Sequence, residues 1–311
     1  MGIFSSLFGG SKSPEQENEK KFDILKYDGI RAMRIGKLTY AIKCFEEATA
    51  LREDVETMQH QANAYIHVNR MDDARALLVR ITELVPEDAS VFFALANFCY
   101  MQEDYRAMDE ACRRALALDG ENPATHFLAA KASLGLGNGI QAIASLTRAI
   151  MLNETFTEAY QLRAEVLWQM RQAKDAAEDI DKLLTLNPED ENALLLKAEM
   201  MAVNGDEEEA VKLMDEVLAL NPFCEKAYLL KGSYFLAKQE YDRALAVYDE
   251  AVEIQPAFAQ AYHERGRVKL AKGDKQGSME DMKRAIELAP EQGAAISGEY
   301  NNYEQQRNIP F

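Results

Sequence analysis

Four stretches of the sequence carry residues whose types and spacing could do chemistry. Gly135 to Gly139, read GLGNG, has the glycine density of a phosphate-cradling loop. His60 and His67 could share one helical face as metal ligands. The run GDEEEA, Gly205 to Ala210, gathers carboxylates as a calcium loop does. The opening MGIFSS matches an acylation pattern through Gly2 and Ser6.

Each fails on its surroundings. No strand precedes GLGNG, so it reads as a turn between two helices rather than a nucleotide site. Two histidines without a third ligand make a poor metal site, and groove or surface positions suit them better. GDEEEA lacks the spaced oxygen ligands and central glycine of a calcium loop, and acids are favoured at a helix N-terminus by the macrodipole. No basic cluster follows MGIFSS, and one acyl chain alone holds a membrane only marginally. The apolar set Ile3, Phe4, Leu7 and Phe8 reads instead as an arm or a short docking helix. The sequence therefore predicts no catalytic residue, no metal and no cofactor, and the chain is not expected to be an enzyme.

Bulk properties narrow the partners. With 52 acidic against 35 basic residues and a net charge of −17, the chain's field repels phosphate backbones, so nucleic acid is not an expected partner and basic or neutral protein segments are favoured. Cys44, Cys99, Cys112 and Cys224 form no C-x-x-C pair and read as packed thiols in a reducing compartment. The N-terminus has no basic region and too short an apolar patch for a signal peptide or membrane span. A cytoplasmic location without membrane attachment is expected, and the oligomeric state is left open.

The elements that would position any site come from a period. Sliding KGSYFLAKQEYDRALAVYDEAVEIQP, residues 231 to 256, along the chain by 34 residues keeps its small residues in register. One slot reads Gly29, Ala62, Ala96, Ala130, Ala164, Ala198, Gly232 and Gly266. A second reads Ala41, Ala74, Met108, Ala142, Ala176, Ala210, Ala244 and Ser278. Larger residues fill the next: Phe45, Leu78, Cys112, Leu146, Ile180, Met214, Tyr248 and Met282. Helix stops stand at Pro86, Pro188, Pro222, Pro256 and Pro290. Small residues let two antiparallel helices approach closely, large ones fill the groove to the next pair, and no pair buries its face alone.

This pattern resembles the tetratricopeptide repeat family over about residues 22 to 292. The resemblance implies an all-α fold, an α-solenoid right-handed superhelix of antiparallel helix pairs. Eight repeats are expected at 22–54, 55–88, 89–122, 123–156, 157–190, 191–224, 225–258 and 259–292. Residues 1–21 would be a disordered or short amphipathic arm, and 293–311 a cap and tail using Ile296, Tyr300 and Tyr303. The first two repeats are one residue closer than the rest, so the junction at LREDVE is expected to be irregular. Acids such as Asp175, Glu178, Asp179 and Asp181 fall on the second helix and read as a solvated convex face.

In the family the first helix of each pair lines the concave surface, which makes its inward residues the candidate peptide-binding groove: Asn63, Phe93, Asn97, Tyr100, Phe127, Lys131, Gln161, Glu165 and Trp168. Aromatic rings offer desolvated area, and Asn or Gln amides can pair with an extended backbone. The Lys-and-Asn carboxylate clamp of many cochaperones is not carried over, because Ile30 stands where an Asn should follow Lys26. The expectation is a non-enzymatic adaptor that binds a peptide segment of a partner protein in this groove. The alternative is a structural spacer or self-assembling scaffold that uses its end faces.

Overall fold

The computed structural model describes residues 14–290, and among them sixteen helices and no strand. The apolar residues at positions 3 to 8, the acylation pattern and the proposed C-terminal cap lie outside the described residues. The chain divides into two compact units, residues 1–154 and 155–311. The first holds α1 (Pro14–Arg34), α2 (Leu38–Leu51), α3 (Val55–His67), α4 (Met71–Leu84), α5 (Ala89–Met101), α6 (Tyr105–Leu118), α7 (Pro123–Gly135) and α8 (Gly139–Leu152). The second holds α9 (Thr157–Gln169), α10 (Ala173–Leu186), α11 (Glu191–Asn204), α12 (Glu207–Leu220), α13 (Glu225–Ala237), α14 (Tyr241–Ile254), α15 (Ala259–Ala271) and α16 (Lys275–Leu288). Odd-numbered helices are the first of each pair and even-numbered ones the second.

Helix boundaries follow from local chemistry. Every turn inside a pair places one residue in the left-handed region: Gly36, Asn69, Glu103, Gly137, Arg171, Gly205, Gln239 and Gly273. The amide after it donates back to a carbonyl in the last turn of the first helix, as from Asn138 N to Ser133 O at 2.8 Å and from Glu240 N to Phe235 O at 2.9 Å, so orphan carbonyls are satisfied while the chain reverses. GLGNG is one of these turns. Second helices end in extended residues, and four of the first helices that follow, α3, α5, α7 and α11, are capped by Asp54, Asp88, Asn122 and Asp190, whose side chains accept from amides of the first turn. The junction from α2 to α3 uses only residues 52–54, one fewer than the linker 85–88 from α4 to α5.

The small and large slots meet as their spacing predicts. The Phe45 ring occupies the space a Cβ at Gly29 would need, and the Tyr248 ring does the same at Gly232. All residues of the two small slots that the alanines fill are fully buried, from Ala41 to Ala244. Burial pushes the Cys112 thiol up to about 12, and Cys44 and Cys99 are buried with it, in keeping with packed thiols. Within each unit, first helices of neighbouring pairs touch, as α1 with α3, α5 with α7, α9 with α11 and α13 with α15, and second helices approach each other less closely. The first helices thus line the tighter side of each stack.

Two features depart from expectation. Helix α1 begins at Pro14, inside the stretch assigned to the arm, because Pro at the first helical position and the acids Glu15 and Glu17 start a helix that the apolar period does not register. Asp179 is not solvated. It is buried and accepts from Arg163 Nε at 2.8 Å and from its terminal nitrogen at 2.6 Å.

That pair belongs to a ladder in the second unit. Arg163, Lys197, Lys231 and Arg265 occupy one position in four successive first helices. Lys197 bonds Asp181 at 2.9 Å, Lys231 bonds Asp215 at 2.5 Å and Arg265 bonds Asp249 at 2.8 Å, each reaching the preceding second helix. Arg265 also grips the buried Asp281 of its own pair with two bonds, and Lys269 joins it at 2.8 Å. The cations share two packed helices through one carboxylate layer, which fixes their register as well as adding charge-assisted bonds.

Candidate functional site

The candidate positions on the first helices fall into two repeating slots. Phe93 and Phe127 hold one slot on α5 and α7, and Asn63, Asn97 and Lys131 hold the other on α3, α5 and α7. Tyr100 follows one turn beyond Asn97. Helical spacing puts these on one face of each helix, and the contact between α5 and α7 brings two of the faces together.

In the first unit Lys131 is the centre of this surface. Its ammonium lies 4.5 Å from the Tyr100 ring centroid and 4.9 Å from that of Phe127, with the Tyr100 hydroxyl 3.5 Å away. A cation shared by two rings is held in place electrostatically while keeping donors free for a ligand. Tyr100 remains exposed, and Phe127 is half-buried. Asn97 donates through Nδ2 to the Phe93 carbonyl at 3.0 Å, which leaves its amide oxygen available as an acceptor. Asn63 is exposed. Phe93 packs in part against the core around Met108 and Cys112.

The second unit carries the other three candidates. Gln161 donates to Glu165 at 3.1 Å along one helix face, so these two bond each other. The indole of Trp168 donates to Glu199 at 3.1 Å, one repeat further on. Glu199 was missed by sequence reasoning although it stands 34 residues after Glu165, in the same slot. The same register continues through Leu195 and Leu229 to His263 and Arg267, of which Leu195 and His263 are buried and the other two half-buried. Burial pushes the Glu264 carboxyl up, but hydrogen bonding to His263 at 3.2 Å and attraction to Arg267, bonded at 2.8 Å, hold it below its usual range. Reading each slot to the end of the array would have found all five.

The histidines have other work. His60 stacks on Phe45 with ring centroids 5.9 Å apart, and His67 ends α3. Among the described residues no group of three or more His, Cys, Asp or Glu side chains could hold a metal. No described helix is long and apolar enough to cross a membrane.

A stack of capped helix pairs whose first helices present aromatic, amide and charged side chains defines a helical-repeat interaction module. Tetratricopeptide repeat models match residues 60–123, 162–225 and 259–292, and a further model described as TPR repeat matches 232–273. The chain belongs to the tetratricopeptide repeat proteins.

Solved structures agree on the fold. A tetratricopeptide repeat protein from Parabacteroides merdae aligns over 78% of this chain and 96% of its own at 19% identity, with a TM-score of 0.65. Yeast Tom70 aligns over 97% of this chain and 67% of its own at 17% identity, with a TM-score of 0.60. YrrB, described as a TPR protein with an unusual peptide-binding site, aligns over 59% of this chain and 95% of its own at 22% identity, with a TM-score of 0.50. No curated protein matches the chain significantly.

Proposed function

We propose that the chain is a non-enzymatic adaptor that binds an extended peptide segment of a partner protein along the inward faces of its first helices. Proteins of this fold serve protein–protein interaction in general. The observation that carries the finer reading is Lys131, fixed over Tyr100 and Phe127, with the Asn97 amide in the same slot of the preceding first helix. Such a site offers desolvated aromatic area together with donors and an acceptor for a backbone, the mixture found at binding hot spots. The net charge of −17, and the acids Glu165 and Glu199 on the second unit's face, favour a basic or neutral segment in the cytoplasm.

Selection of peptides from a random display library on the full chain tests this. Substitution Phe127→Ala or Asn97→Ala is expected to weaken a selected peptide by about 1 to 3 kcal/mol. A peptide that contacts the second unit's face is also expected to change Trp168 emission. Full affinity in both variants removes the first-helix face from the function. A mass that rises with concentration in light scattering, with no selected peptide, favours the self-assembling scaffold instead.

A further inference from the structure

The first repeat has an open side that no other described repeat has at its leading face. At one position of the first helices stand Ile24, Thr57, Val91, Thr125, Ala159, Ala193, Ala227 and Ala261. The last seven are buried, whereas Ile24 is 52% exposed. Three residues on, Leu128 is buried and His60 half-buried, but Tyr27 is 60% exposed. One turn further, Ala64, Phe98, Ala132, Val166, Met200, Tyr234 and Val268 are all buried, and α1 places the exposed Arg31 there. Ile35, 63% exposed, continues the row along a cavity of about 430 Å³ lined also by Asp28, Ala32, Lys37 and Tyr40.

Within each unit, the helix that precedes a later first helix in sequence packs against it through a short linker, as α2 against α3 and α14 against α15. What precedes α1 in sequence is MGIFSSLFGGSKS. Its apolar residues, Ile3, Phe4, Leu7 and Phe8, have the spacing of one helical stripe, and GG follows at the point where the chain would reverse. Reach permits it: Gly9 to Ser13 can span about 17 Å when extended. Ile24 lies about 15 Å along α1 from Pro14. Phe8 can therefore lie beside Ile24, and Phe4 beside Tyr27.

We infer that the exposed row Ile24 and Tyr27 of α1 is a docking site for the chain's own segment Ile3–Phe8, which covers the leading face as a preceding second helix would. Covalent linkage favours this occupant over a second copy, because a short tether holds the segment at an effective concentration near the millimolar range. The bound segment blocks end-to-end stacking through this face.

Alkylation of a cysteine at position 27 tests the inference. The background is the full chain carrying Cys224→Ser, since the other three thiols are buried. In it, Tyr27→Cys is expected to react about tenfold more slowly than in the same chain with Phe4→Asp and Phe8→Asp, as a contact closed nine-tenths of the time requires. Removal of residues 2–10 is expected to give the same fast rate, and a synthetic peptide of residues 2–10 at millimolar concentration to restore the slow one. Ile140→Cys, at a position 74% exposed, serves as the control whose rate stays constant. Equal rates at position 27 in all three chains overturn the inference. So does a slow rate that strengthens with protein concentration alongside a rising mass, because a second copy then covers the face.

Discussion

The side chain of Tyr248 crosses from α14 and lies against the bare Cα of Gly232 on α13, filling the volume where any larger residue would place its Cβ. The same two positions hold Ala62 with Leu78 and Ala130 with Leu146 in other repeats. Glycine and ring compensate each other. Gly232→Ala gains about 1 kcal/mol of helix propensity but forces a fully buried ring to move, at a cost of about 1 to 3 kcal/mol. The substitution is expected to destabilise the wild type, yet to stabilise a Tyr248→Leu background by about 1 kcal/mol. Denaturation midpoints of the four proteins measure this, and the same sign in both backgrounds contradicts the contact.

The buried Arg163–Asp179 pair should behave unlike the surface pairs around it. Asp179→Ala leaves a guanidinium with its bidentate partner removed and is expected to cost about 3 to 5 kcal/mol. Replacing both, as Arg163→Met with Asp179→Leu, should cost far less. The exposed pair Arg113–Asp109, at 2.8 Å, is worth about 0.5 kcal/mol or less. Equal losses from Asp179→Ala and Asp109→Ala would show that Asp179 is solvated in solution.

That contrast marks what the sequence made legible. The repeat was readable because its slots are filled by size: a small residue at Gly232 or Ala198 has no reason other than close approach, so the period shows without a structure. Charge has two readings. Asp179 lies among acids on a second helix, and only the facing Arg163, sixteen residues back, separates a buried clamp from a solvated face. The start of α1 was hidden differently, since PEQENEKK is helix-forming but offers no apolar stripe. At the candidate site, residue types were legible and their mutual bonds were not used, although Asn97 to Phe93 and Gln161 to Glu165 each span one helical turn.

Acid should loosen the first repeat through Asp54. Burial pushes its carboxyl up, but bonds from the Thr57 hydroxyl, from the Lys26 ammonium at 3.0 Å and from the Thr57 amide outweigh it and lower the pKa to about 2. A depressed carboxyl stabilises the fold above its unfolded value near 4, and this contribution fades as pH falls towards 2. Asp54→Asn keeps a capping side chain and the Lys26–Glu56 bond. Wild type is expected to exceed this variant by about 2 kcal/mol at pH 6 and to match it near pH 2. A difference independent of pH would place the carboxyl outside the cap.

The fourth repeat, α7 and α8, should be the weakest link of the first unit. Its aromatic slot holds His126, whose Nε2 lies 3.0 Å from the Gly120 carbonyl, and the next packing position holds Ser133, which donates back to Ala129 at 2.9 Å. Both polar groups are satisfied, but neither contributes the apolar burial that a ring or a large aliphatic supplies elsewhere. Gly135 adds a backbone penalty of about 0.5 to 1 kcal/mol relative to Ala. It is tolerated because the Tyr105 ring of α6 packs where its Cβ would stand. Stability in a repeat array is a sum of unit and neighbour terms, so a poor unit opens first. Amides of α7 are therefore expected to exchange about tenfold faster than those of α5, a difference near 1.4 kcal/mol. Tyr105→Ala should widen that gap at the Gly135 end of α7, by removing the neighbour that closes the last turn. Uniform protection of α5 and α7 in the wild type, unchanged by Tyr105→Ala, would show that the adjoining repeats hold this one as firmly as their own.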